Sequence, residues 1–448
     1  MPERVTQVHL GLLVGQRNYR ALRSVLETMN EVDIAEFIND LPVEEAVIIF
    51  RLLKKPIAAD VFSELDYEIQ QRLVEAINDK EVKTLFDALA IDDAVDMLEE
   101  MPAELVKRIL KNASRETREL LNQYLLYPED SVGSVMTAEF TDLKADMTAA
   151  EAVAYIRNYG QDKETIYTCY VIDSTRLFIG VVTVRALLTA QEDTLVENLM
   201  STNTIAVHTM DDSQEASKLL SKYNFISMPV IDDENHLVGI ITIDDAADIL
   251  QEETTEDLEL MAAMAPSDKP YLKTGVMTLA KNRFLWLLVL MLSGMVSEIV
   301  VGRYEVAISV VPLLVSFMPM LSDMGGDAGS QVSTLVIRGM ALDEVENKNT
   351  ITMFLKEVMV SLMVGIPLGI INLLQVRFAG GELMVGITIS VALVCTITMA
   401  NTLGVLFPVL ARRLKIDPAL MATPMIATIV DILSMLIYFS LAHLLLGV

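Results

Sequence analysis

The stretch from Ala422 to Val448, ATPMIATIVDILSMLIYFSLAHLLLGV, is apolar almost throughout. It is long enough to cross a bilayer as a helix, which takes about 20 residues. Near its first third stands one carboxylate, Asp431, with no Lys or Arg in the segment. A charge at that depth is costly, so it needs water, a cation or protein around it. A structural carboxylate bonded to a neighbouring hydroxyl would meet that need, and so would a cation site. The rest of the chain has to separate the two.

Acidic residues crowd positions 1–260, whereas 284–448 is mostly Leu, Val, Ile, Met, Ala and Gly. An acidic soluble half joined to a membrane half explains a formal charge of -28 alongside a mean hydropathy of +0.42. At 448 residues about three domains are expected. The acidic surface argues against nucleic acid and in favour of cations. Cys169 and Cys395 lie in different halves, which excludes a disulfide framework or a thiolate metal site as an expectation. No apolar run precedes residue 284, so no signal peptide is expected and the acidic half is expected in the cytosol.

Residues 1–130 carry a repeat. Leu41, Leu53, Leu65, Ile77, Leu89, Met101 and Ala113 are spaced by twelve, each followed by turn-forming or helix-starting residues. Glu44, Glu68, Asp92, Glu104 and Glu116 stand where an acid favours a helix N-terminus. The spacing predicts a stack of short helices forming a small all-α superhelix, because helices this short cannot bury a face alone. The run Asp87, Asp92, Asp93, Asp96, Glu99, Glu100 is denser than capping requires and contains no Lys or Arg.

Between 131 and 250 short strands alternate with helices, and the pattern occurs twice. Cys169 to Asp173 answers Met228 to Asp232, and Ile179-Gly180-Val181-Val182-Thr183 answers Val238-Gly239-Ile240-Ile241-Thr242. This segment resembles a tandem pair of cystathionine-β-synthase-type (CBS) modules. The resemblance implies an α/β regulatory pair able to take adenine nucleotides or ions between its repeats, with ATP as a modulator. The ribose-holding pattern, a hydroxyl followed three residues later by Asp, is kept as Thr242 and Asp245. In the first repeat Thr183 and Arg185 occupy the matching place, and Ala186 stands where the Asp would be.

An acidic amphipathic helix follows, with Asp244, Asp245, Asp248, Glu252, Glu253, Glu256, Asp257 and Glu259. Like charges at helical spacing repel, so this helix either solvates a face or awaits a counter-ion. Taken with Asp92, Asp93, Asp96 and Asp212, the counter-ion reading is preferred. Asp92, Asp93, Asp96, Asp212, Asp245, Asp248, Glu253, Glu256 and Asp257 are therefore expected to form a cytosolic sensor. All-oxygen ligation points to Mg²⁺ or Ca²⁺.

Five membrane segments are expected, at about 284–302, 308–338, 353–376, 383–410 and 423–446. Lys281, Arg283, Arg338, Lys348, Lys356, Arg412, Arg413 and Lys415 fall on one side, Arg303 and Arg377 on the other. The positive-inside rule makes the first set cytoplasmic and leaves the C-terminus outside. The second segment contains Asp323 and the run Gly325-Gly326-Asp327-Ala328-Gly329-Ser330-Gln331. Small residues there would serve close packing, but two carboxylates and a glutamine are more than packing needs, so a broken helix whose freed carbonyl oxygens serve an ion is expected.

From Asp33-Ile34-Ala35 and the run 58–66, AADVFSELD, through the CBS pair to Asp417-Pro418-Ala419-Leu420 and Leu436-Ile437-Tyr438-Phe439, the chain resembles the MgtE family of bacterial magnesium channels. That resemblance implies a homodimer in the cytoplasmic membrane, with a pore on its two-fold axis and a cytosolic Mg²⁺ sensor that closes it. Asp431 falls on the family's pore carboxylate. Asp327, Gly325, Gly326, Gln331 and Thr423 join it as the expected pore set. Asp327 and Thr423 each stand where the family often has Asn, and Asn224 replaces a sensor aspartate. The implied partition is 1–130 superhelical, 131–250 CBS pair, 251–282 acidic plug helix and connector, and 283–448 an all-α five-helix pore domain. No enzyme is expected, since no nucleophile is paired with a base. Two other readings stay open on the residues: an ion-coupled carrier with Asp327 titrating, and a membrane-tethered sensor that transports nothing.

Overall fold

The computed structural model describes residues 10–267, 271–272, 274–342, 344–345, 347–421 and 423–447, apart from the side chains of Pro56, Asp162, Asn347, Met421 and Thr423. The chain forms two compact units, 1–251 and 252–448.

In the first unit helices begin every twelve residues, as the spacing predicts. They are α1 (Tyr19–Leu26), α2 (Glu31–Asn39), α3 (Val43–Phe50), α4 (Lys55–Ser63), α5 (Tyr67–Ala76), α6 (Asp79–Phe86), α7 (Ile91–Glu100), α8 (Ala103–Asn112) and α9 (Arg115–Tyr124). Each acid three past a landmark lies in the first turn of its helix. Caps differ along the repeat. Asn78 and Glu81 form a reciprocal capping box on α6, whereas α3 and α8 start behind Pro42 and Pro102. The apolar faces meet in a core where the Phe62 ring packs 5.9 Å from Phe50 and 6.2 Å from Phe86. Arg108 of α8 donates to the carbonyls of Val74 and Ile77 at 2.6 and 2.7 Å and to Asp79 at 2.9 Å. It thereby satisfies carbonyls at the end of α5 that have no helical partner.

After the short α10 (Val132–Val135) come β1 (Asp142–Lys144), α11 (Ala149–Tyr159), β2 (Thr168–Ile172), β3 (Phe178–Thr183) and α12 (Val184–Thr189). The pattern then recurs as β4 (Val207–His208), α13 (Ser213–Tyr223), β5 (Ser227–Ile231) and β6 (Leu237–Thr242), leading into α14 (Ile243–Met261). Each repeat builds a sheet with one parallel and one antiparallel pairing, in orders β1-β2-β3 and β4-β5-β6. Both carry a register shift at the same place, Val171/Ile172 and Val230/Ile231. The repeats interlock: Tyr170 Oη lies 2.6 Å from Ser227 Oγ in the buried interior, and Thr137 bridges to Ile240. Gly180 and Gly239 are required at this seam. A Cβ on the first would sit 2.7 Å from the Ser201 carbonyl oxygen and on the second 2.9 Å from that of Thr137. The helical stack and the second repeat share one continuous core that includes Leu98, Leu121, Tyr124, Met228, Ile241 and Ala246.

The second unit holds α15 (Val276–Gly302), α16 (Glu305–Val310), α17 (Leu313–Ala341), α18 (Thr350–Phe378), α19 (Leu383–Arg413) and α20 (Thr423–Leu446). Among the described residues four helices are long and apolar enough to cross a membrane: α15, α18, α19 and residues 424–446 of α20. The long α17, which carries Asp323, Asp327 and Arg338, is not one of them. Two expectations are corrected here. The second segment does not start at 308 as one span, because the chain breaks at Val311-Pro312, separating α16 from α17. The glycine-rich run is also not broken: residues 325–331 lie inside one continuous helix. The reason is packing. Cβ atoms at Gly325 and Gly329 would approach Val430 and Ile426 of α20 to 2.7 and 2.6 Å, so the glycines let α17 and α20 touch. Tyr438 Oη donates to the Leu314 carbonyl at 2.9 Å, and Phe439 stacks on Tyr304 at 4.8 Å, tying α20 to the start of α17 and to the residue that opens α16.

Candidate cation sites

In the second unit Asp431 projects from the first half of α20, half-buried, into a pocket of about 280 Å³. The pocket is lined by Leu290, Ser293, Gly294 and Ser297 of α15 with Pro424, Ala427, Thr428 and Asp431 of α20. Ser322 of α17 donates a hydrogen bond to Asp431 Oδ1 at 2.7 Å. Among the described residues no Lys, Arg or His pairs with the carboxylate. A hydroxyl donor leaves its negative charge uncompensated, which is what a cation would use.

Asp327 and Gln331 lie elsewhere. With Ser330, Thr334 and Leu335 they line an open groove along α17. Asp323, Asp327, Gln331 and Thr334 are all exposed on this one face. Gly325 and Gly326 instead turn into the helix bundle as packing positions. The side chain of Thr423 lies outside the described residues. Ser322, Ser330 and Thr334 also reach these surfaces. A serine in an apolar segment carries little signal until its helix neighbour is known.

In the first unit the carboxylates of α7 face the start of α14. Burial, then repulsion from Asp93 and Asp245, pushes Asp92 up to about 8. Burial, then the charges of Asp245 and Glu164, pushes Asp93 up to about 7. Asp245 is raised by burial and by Asp244, although Thr242 donates a hydrogen bond to it. Glu164, from the loop before β2, is raised by burial and by Asp244 and Asp245. Asp96, whose charge adds to the rise of Asp93, is itself raised by burial and then by Glu129, and Asp248 faces Glu64. Asp212 is occupied otherwise: it caps α13, accepting from the backbone N–H of Gln214 and Glu215 at 3.0 and 3.1 Å. Glu253, Glu256 and Asp257 follow on the later turns of α14, beyond the boundary of this unit.

A hard cation fits this seam. Asp92 Oδ1 is buried without a hydrogen-bond partner among the described residues, and the surrounding donor set is all oxygen. Among the described residues no three His, Cys, Asp or Glu side chains converge as a finished ligand set.

Of the nucleotide positions, Thr183 caps α12, accepting from Ala186 N at 3.2 Å, and Arg185 is exposed. Thr242 and Asp245 are bonded to each other.

Residues 318–441 match the family model described as a divalent cation transporter, 29–130 that of the MgtE intracellular N domain, and 132–193 and 196–252 that of the CBS domain. The chain is 34% identical over 430 residues to the magnesium transporter MgtE of Thermus thermophilus, covering 95% of each. It is 28% identical to MgtE of Bacillus subtilis over 96% of this chain and 95% of the relative. Among solved structures it is similar to the cytosolic domain of the Mg²⁺ channel MgtE in complex with ATP. That likeness has a TM-score of 0.52 and 32% identity, over 54% of this chain and 99% of the other. The soluble part of a magnesium transporter, at 24% identity and a TM-score of 0.53, shares the fold.

Proposed function

The chain belongs to the MgtE family of magnesium transporters, and on that premise we propose that it is a Mg²⁺ channel of the bacterial cytoplasmic membrane, closed when Mg²⁺ accumulates at its acidic cytosolic unit. The observation that carries this reading is Asp431: a half-buried carboxylate on a pocket wall among apolar helices, held by a serine and, among the described residues, matched by no cationic side chain. Mg²⁺ dehydrates reluctantly and is held through one or two carboxylates with its waters retained, which suits a single aspartate beside hydroxyls and carbonyls.

The exposed polar face of α17 supports a homodimer. Asp323, Asp327, Gln331 and Thr334 cannot face lipid, so they face water or a second copy of the chain. A shared axis between two such faces would give a wet, carboxylate-lined path. The loop charges support a cytosolic acidic unit and a C-terminus on the other side of the membrane. The working parts are a superhelical domain at 1–130, a CBS pair at 131–250, an acidic plug helix and connector at 251–282, and the pore domain at 283–448.

Closure follows from the acidic seam. Asp92, Asp93 and Asp245 repel one another when no cation is near, and holding Mg²⁺ lets them stay together. Such a ligand moves the equilibrium only by its differential affinity for the closed state, so several weak sites acting jointly are expected. ATP is a second modulator in this reading, taken through Thr242 and Asp245. The first repeat offers only Thr183, already used as a cap, and Arg185.

Mg²⁺ influx into liposomes carrying the full chain, with and without a proton gradient, tests the proposal. A channel passes Mg²⁺ down its own gradient and is indifferent to the proton gradient. Uptake that requires protons would replace it with a coupled carrier.

A further inference from the structure

Tyr124, at the end of α9, is 2% exposed, and its hydroxyl is buried with no hydrogen-bond partner among the described residues. Buried phenols normally find one, so the orphan needs a reason. Asp92 Oδ1, on the neighbouring α7, is orphaned in the same way. The two helices pack together, and burial, then the Asp92 charge, pushes the Tyr124 phenol up. The Tyr127 ring, edge-on at 6.2 Å, holds the phenol ring in place. Both buried polar atoms are thus left for some other polar group to satisfy.

We propose that Tyr124 is a positioning residue of the cation sensor, its hydroxyl oxygen accepting a hydrogen bond from a water carried by an ion at Asp92. This rests on the sensor reading above and adds a residue to it. An ion that keeps its waters needs acceptors in its second layer, and a phenol oxygen fixed by packing is one. The groups facing the phenol are Asp92, Tyr127 and Glu139, and those facing Asp92 include Asp93, Asp245 and Glu164. None of these groups is cationic, which leaves the set open to an ion, a proton or water.

The test is Tyr124→Phe in the full chain, read by protease protection of the acidic unit and by thermal melting, both across a Mg²⁺ titration. The Mg²⁺ midpoint should rise roughly threefold to tenfold, the worth of one ordinary hydrogen bond. Melting without Mg²⁺ should not fall, because an unpartnered hydroxyl stabilises nothing. Tyr127→Phe serves as the control and should titrate as the parent. An unchanged midpoint in Tyr124→Phe would remove the hydroxyl from the sensor while leaving the sensor standing. A fall in magnesium-free melting would make the hydroxyl structural and also overturn the proposal. If the parent chain shows no response to Mg²⁺ at all, the sensor reading itself fails, and this assignment with it.

Discussion

Ser322 and Asp431 stand on different helices, far apart in sequence, and the serine Oγ lies 2.7 Å from the aspartate Oδ1. The bond fixes the carboxylate on its pocket wall without neutralising it. Ser322→Ala should leave the bundle folded and lower Mg²⁺ flux roughly tenfold, since a hydrogen bond to a charged group is worth about 1.5 kcal/mol or more. Flux into proteoliposomes checks this. Unchanged flux would mean that the carboxylate is positioned by something else.

The acidic seam should make the cytosolic unit sensitive to pH. The ordinary Asp value is 3.8, whereas Asp92 is pushed up to about 8 and Asp93 to about 7. Between those values the folded chain keeps protons that the unfolded chain has lost. Stability is then greatest in acid, falls as pH rises through the window, and levels off above about 8. Melting of the full chain should drop between about pH 5 and 8 without Mg²⁺, and added Mg²⁺ should restore most at the alkaline end. Asp92→Asn should flatten the profile. A curve that rises with pH over this range would contradict the account.

The glycines of the second unit divide into two kinds. A Cβ on Gly404 would meet the backbone oxygen of Gly329 at 2.6 Å, and backbone cannot move aside cheaply. At Gly326 the nearest atom would be the Ala427 Cβ at 3.4 Å, an ordinary contact. Gly404→Ala should cost about 1–3 kcal/mol. Gly326→Ala should melt close to the parent, helped by the helix propensity of alanine. Thermal unfolding in detergent distinguishes them, and equal melting would show that α17 and α19 do not rely on this approach.

The twelve-residue period was readable because each repeat places a landmark, an acid and a helix start at fixed spacing, and helices begin at 43, 55, 67 and onward in step. The doubled CBS pattern was readable because each strand pair has the same alternation and the same Gly at the crowded seam. Other features depend on neighbours that the sequence does not name. The run 325–331, with its carboxylates and glutamine, reads as an ion-binding break, and the closeness of Val430 and Ile426 shows it to be a packing stripe in a continuous helix. Asp212 looked like one more sensor carboxylate, yet its position before α13 makes it a cap. Tyr124 carried no signal at all, since a buried tyrosine becomes informative only when its hydroxyl is seen without a partner.

The most direct measurement is Mg²⁺ influx into proteoliposomes carrying Asp431→Ala or Asp431→Asn, with melting recorded on the same preparations. The Ser322 hydroxyl can turn to a carbonyl of its own helix when the carboxylate is removed, so neither variant should lose much stability. Alanine should abolish flux. Asparagine, which keeps size and hydrogen bonding but not charge, should fail nearly as badly if the charge attracts the ion. Near-normal flux in both variants would contradict the assignment of Asp431 to the pore. Loss of flux accompanied by a fall of about 1–3 kcal/mol in stability would make it a structural carboxylate instead.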